Sequence, residues 1–232
     1  MEEELKKIYE DFKRNLLGAA IISEVKEENL PSGLLNLKED LIKLDNEIGI
    51  ENLNKNQSVV LIISAFECFF REFFTFIIEE NIPTRKMFVK IMKNKEFKDL
   101  NLERLYNICE GKINLGNIIC ERCSFTSMNE LEKLFEYIGI DFNDLFELHI
   151  SDEDENKKEI ENVLNSYPIN KGRLENIVFI RNKFIHEGIV SPIDMAVLDS
   201  LIISLQLIAA KLICFFLKKQ IPFSYFLKYP KS

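Results

Sequence analysis

Apolar residues recur at Leu5, Ile8, Phe12 and Leu16, in steps of three and four that set them on one helical face with charges opposite. This predicts an amphipathic helix over residues 1 to about 28. Pro31 to Gly33 interrupts the pattern, and a second, shorter helix is predicted from Leu34 to Ile48, ending near Gly49. From Ser58 to Ile78 the chain is apolar almost all round, as expected of a central helix covered on most sides. Its polar exceptions Glu67 and Arg71, four apart with Glu first, have the spacing of an intrahelical ion pair. Asn81 to Pro83 ends this helix, and residues 84 to 123 read as short helices with irregular joints around Gly111 and Gly116. Ser127 with Glu130 forms a capping box that opens a helix to about Tyr137. The acidic run Ser151 to Glu155 is expected to start another. A further helix is predicted from Asn170 to Gly188, with Gly just past its end. Ser191, Pro192 and Asp194 then open a last helix to about Lys219. No strand alternation of useful length and no internal repeat is present.

These elements define an all-α chain, read as a single domain over 1–232 with an N-terminal helical extension in 1–50 and a core bundle from about 55 to 219. Composition agrees: 47% hydrophobic and 29% charged residues, with 8 Gly and 6 Pro, favour long regular elements over tight turns. A net charge of −8 argues against a protein that coats nucleic acid non-specifically, although it allows a locally basic cleft. The first residues lack the basic stretch and apolar core of a secretory signal, and an odd number of cysteines, 5, fits a reducing compartment, so a cytoplasmic location is expected. Leu201 to Leu217 is very apolar, but it spans about 25 Å against the ~30 Å of a bilayer core and contains Gln206 and Lys211. A core or dimer helix is expected, and no membrane association.

The chemistry gathers at Arg181-Asn182-Lys183-Phe184-Ile185-His186. Counting back to Ile177 and Val178 and forward to Ile185, Arg181 projects from the stripe that should face the core or a partner, where a charge needs a counter-ion or a ligand. Asn182 and His186, four apart, lie on the adjacent line, so the three groups are expected to converge on one rim. His186 sits in the last turn, where the helix dipole favours the cation and suits acid/base work. An RNA phosphodiester carries its own nucleophile, the 2′-hydroxyl. Its cleavage therefore needs only a group to move that proton and a fixed cation to stabilise the phosphorane.

This stretch, followed by Ser191-Pro-Ile-Asp194 and a long apolar helix, resembles the Arg-Asn-x-x-x-His signature of the HEPN superfamily. Ser127 to Asp141 is similar to the segment preceding that signature in the RiboL-PSP-type and related HEPN ribonucleases, and Ala65 to Phe74 to their central helix. The resemblance covers about residues 58–80 and 127–218. It implies a HEPN-like helical bundle, with extra short helices between the central helix and the motif helix, that pairs as a homodimer with two motifs in one cleft. It also implies metal-independent endoribonuclease activity giving 2′,3′-cyclic phosphate ends. Arg181 and His186 would be the catalytic pair, with Asn182 and Glu67 supporting. Domains of this kind commonly act as toxins or as defence or stress effectors, which implies RNA as substrate and an antitoxin or regulatory protein as a possible partner.

Plainer roles fit the same residues. Arg181 can be half of an ion pair with Glu67, Glu175 or a partner subunit, His186 a helix-end residue, and Asn182 a donor to a nearby carbonyl. A non-catalytic HEPN-like module binding a nucleotide or a protein would use the same rim. Cys120 and Cys123 have metal-ligand spacing, but the other candidate ligands, Cys109 and His149, stand at unsuitable positions, and no cofactor or metal is expected. Neither a Gly-rich phosphate loop nor a Gly-x-Ser-x-Gly elbow is present.

Overall fold

The computed structural model describes residues 2–23, 50–80, 123–147 and 157–217, with isolated positions between 103 and 120. Every regular element among them is helical: α1 (Glu2–Ser23), α2 (Ile50–Glu79), α3 (Met128–Tyr137), a 3₁₀ turn (Asn143–Phe146), α4 (Lys157–Ser166), α5 (Lys171–Glu187) and α6 (Met195–Leu217). The all-α class is therefore observed. The helix expected at 34–48, the acidic start at 151–155 and most of 84–123 lie outside the described residues.

The central helix α2 organises the rest. Phe66, Phe69, Phe70, Phe73 and Phe74 are all fully buried along it. Phe12 of α1 meets Phe69 at 4.7 Å between ring centroids, and Phe216 of α6 meets Phe73 edge-on at 5.4 Å. Phe135 of α3 lies between Phe70 and Phe74, at 5.4 and 5.1 Å, and stacks in turn on Phe142. Edge-to-face pairs at these spacings add to the burial of large apolar surfaces. Gly116 presses on the same helix: a Cβ there would lie 2.6 Å from the Thr75 carbonyl oxygen, so only glycine allows this approach.

α6 is the most apolar element, and by length and composition it could cross a membrane, yet 78% of that stretch is buried by its neighbours. Two of its polar residues, Lys211 and Ser200, are engaged with them. Lys211 Nζ donates to the Glu147 carbonyl at 3.0 Å and to that of Asp144, capping the 3₁₀ turn. Ser200 Oγ donates to the Tyr167 carbonyl at 2.5 Å, and Ile203 and Leu207 form a small satellite core with Ile160 of α4.

Two helix starts differ from expectation. α2 begins eight residues before Ser58, because Asn54, Lys55 and Asn56, polar enough to read as a loop, are all buried within it. α6 starts at Met195 rather than beside Ser191, with Asp194 Oδ1 accepting from the Ala196 N–H at 3.1 Å as the cap. α3 begins at Ser127 as expected, but Glu130 reaches past it to accept from the Ser124 N–H at 2.8 Å.

Candidate active site

α5 carries the motif, and both its ends are built by local chemistry. Asn170 caps the start, its Oδ1 accepting from the Arg173 N–H at 3.0 Å, and Lys171 pairs with Glu132 of α3 at 2.7 Å. Gly188 ends the helix in the left-handed region, at φ 69° and ψ 15°, with its N–H donating to the Phe184 carbonyl at 3.2 Å. Leu174, Ile177 and Val178 are buried and hold the helix against the rest of the molecule.

Arg181 stands on that inward face. Its Nη2 lies 3.4 Å from Glu67 Oε2, and its Nη1 donates to Asn182 Oδ1 at 3.0 Å. The two charged side chains keep 18% and 25% of their exposure, so the pair sits at the rim of the core rather than within it. Arg181 Nε is buried and has no hydrogen-bond partner among the described residues. A guanidinium offers five N–H donors in a planar fork, and this one is only partly satisfied by its neighbours. Glu67 thus pairs across to α5, and the intrahelical pair with Arg71 does not form among the described residues; Arg71 is exposed.

His186 is exposed and makes no hydrogen bond or ion pair with the described residues. At about 100° per residue, the five steps from Arg181 carry its side chain about 140° around the helix axis. Arg181, Asn182 and Glu67 therefore come together, while His186 stands apart on the outward side, with Asn182 between it and Arg181 around the axis. Ile185, expected in the core stripe, is 44% exposed, as is Ile189, and Phe179 is 57% exposed with the Lys183 ammonium 4.7 Å from its ring centre. The C-terminal half of α5 and the residue just past it thus leave apolar surface uncovered on the element that carries His186.

A residue not singled out by sequence pattern also belongs to this region. Asn56 of α2 is 1% exposed, and its carboxamide grips the backbone beyond α5: Nδ2 donates to the Ser191 carbonyl at 2.7 Å and Oδ1 accepts from the Ser191 N–H at 3.2 Å. An Asn at the polar end of a helix carries no pattern that marks it before the fold is known.

Cys120 is buried, and that burial pushes its thiol up to about 11; Cys123 follows it in a turn, its N–H donating to the Cys120 carbonyl. Among the described residues no three His, Cys, Asp or Glu side chains gather as a metal site. Comparison of the chain with protein-family models, with curated proteins and with solved structures finds no match.

Proposed function

We propose that this chain is a HEPN-like, metal-independent endoribonuclease that acts as a homodimer. The observation that carries the reading is Arg181: a cation held at the edge of the core by Glu67 and Asn182, five residues before His186, which lies in the last turn of the same helix, exposed and without a partner among the described residues. Fixed in this way, a guanidinium can meet a phosphate without reorganising, which is what stabilisation of a phosphorane requires. His186 is free to take the proton from the 2′-hydroxyl or return one to the leaving 5′-oxygen. Because the two side chains leave α5 about 140° apart, one protomer offers them to different surroundings. A second copy seated on Phe179, Ile185 and Ile189 would bring the His186 of one chain toward the Arg181 of the other. RNA is the substrate class, a cytoplasmic toxin or defence effector the biological setting, and an antitoxin or regulatory protein a further partner.

The test is cleavage of mixed cellular RNA in EDTA by wild type, Arg181→Ala and His186→Ala. Wild type should leave 2′,3′-cyclic phosphate ends, each variant should lose about 10²–10⁴-fold in rate, and mixing the two should restore part of it through mixed dimers. Absence of cleavage by folded wild type on every RNA would remove the nuclease reading. The Arg181–Glu67 pair favours the second one, a non-catalytic binding module in which Glu67 neutralises Arg181.

A further inference from the structure

Among the described residues His186 has no side-chain partner, so within them its place is set by the backbone of α5 and by what fixes the chain beyond it. Two contacts with α2 bracket the motif. Glu67 holds Arg181 on one side of His186, and Asn56 holds Ser191 on the other. Along α2 the two holding residues are eleven apart, about three turns and ~16 Å on one line of the helix, while along α5 and its exit the held residues are ten apart. The helices run antiparallel with this polar line between them.

The Asn56 amide is oriented by its partners. Nδ2 also donates to the Asn52 carbonyl at 2.7 Å, so both its hydrogens face carbonyl oxygens; a flipped amide would put oxygen against oxygen at both. The carboxamide is thus a two-pronged holder for the N–H and the carbonyl of one residue 135 positions away in sequence, and buried groups of this kind are costly to leave unpaired.

We infer that Asn56 is a positioning residue for His186: by gripping the Ser191 backbone it sets where the turn after Gly188 goes, and so where the last turn of α5 presents the imidazole. The role in catalysis rests on the nuclease reading; the positioning itself does not. Asn56→Leu keeps the branched shape at a larger volume and removes the hydrogen bonds, Asn56→Ala removes the bonds and leaves space instead, so an effect common to both belongs to the bonds, and Ser200→Ala loses hydrogen bonds to the carbonyls of Val163 and Tyr167, ahead of α5.

The chain has 2 histidines, so the His186 imidazole resonances in an NMR spectrum can be identified by their loss in His186→Gln. With Asn56→Leu these resonances should shift or split, and the Ser191 amide should exchange with solvent at least tenfold faster. RNA turnover at saturating substrate should fall at least tenfold with little change in KM, and Ser200→Ala should alter none of these. A loss of thermal stability in Asn56→Leu and Asn56→Ala without movement of the His186 resonances would reduce Asn56 to a stability determinant and overturn the inference. If wild type cuts no RNA, the nuclease reading fails alone, and the imidazole resonances and Ser191 exchange still decide the positioning.

Discussion

The central helix α2 makes two unlike kinds of contact. Five buried phenylalanines meet α1, α3 and α6, and two polar groups, Asn56 and Glu67, meet α5 and the turn beyond it. Apolar packing is strong but weakly directional: rings can meet edge-on, tilted or stacked, and this ladder contains all three arrangements. Hydrogen bonds and ion pairs are weaker in net stabilisation but demand particular atoms at particular distances. The aromatic contacts are therefore expected to set how stably the helices hold together, and the polar contacts, on the inference drawn from Asn56, where the motif stands.

That division has a direct test in the aromatic ladder. Phe70 is fully buried and touches Phe66, Phe69, Phe74 and Phe135. Phe70→Ala should cost about 3–5 kcal/mol, the largest loss expected here, read as a lower denaturant midpoint. A loss under about 1 kcal/mol would mean the ladder is loosely packed and that stability resides elsewhere.

The same contrast explains what could be read from the chain beforehand. Helices driven by apolar periodicity were legible: α1, the apolar stretch of α2, α3, α5 and most of α6 all lie where their patterns put them. So were the ends that rest on side-chain chemistry, Ser127, Asn170 and Gly188. The misses involve polar residues whose partners are remote in sequence. Asn54 to Asn56 fell outside the helix read from Ser58 because burial of a polar side chain depends on what faces it, and Asn56 faces the Ser191 backbone 135 residues on. Glu67 had two possible cations, and spacing favoured Arg71, four residues away; tertiary packing placed Arg181 there instead. Arg181 on an inward line was legible from the helix count, whereas the outward direction of His186 followed from the same arithmetic and was obscured by grouping it with Asn182.

Among the polar contacts the expected effects are smaller and local. Glu67→Ala leaves Arg181 with Asn182 as its only described partner, and should cost about 1–3 kcal/mol, with Glu67→Gln recovering part of it through a neutral acceptor. The check is a pair of unfolding curves beside that of wild type. If Glu67→Ala is as stable as wild type, the 3.4 Å pair contributes nothing to holding Arg181, and the polar contacts shrink to Asn56.

The smallest effect probes whether the two kinds of contact are independent. Ser127 caps α3, which delivers Phe135 to the ladder and meets α5 at its first residue, through Glu132 and Lys171. Its hydroxyl accepts from the Glu130 N–H at 3.4 Å, a long bond, so Ser127→Ala should cost about 0.5–1 kcal/mol, at the low end for lost caps. Glu130→Ala should cost at least as much, because its carboxylate accepts the shorter 2.8 Å bond from Ser124. Both should lower the melting temperature slightly while the His186 imidazole resonances and any RNA turnover stay at wild-type values. Movement of either readout with so small a stability change would show that the motif feels the packing of α3, through α2 or through the Glu132–Lys171 pair, and the separation between stabilising aromatic contacts and positioning polar ones would have to be given up.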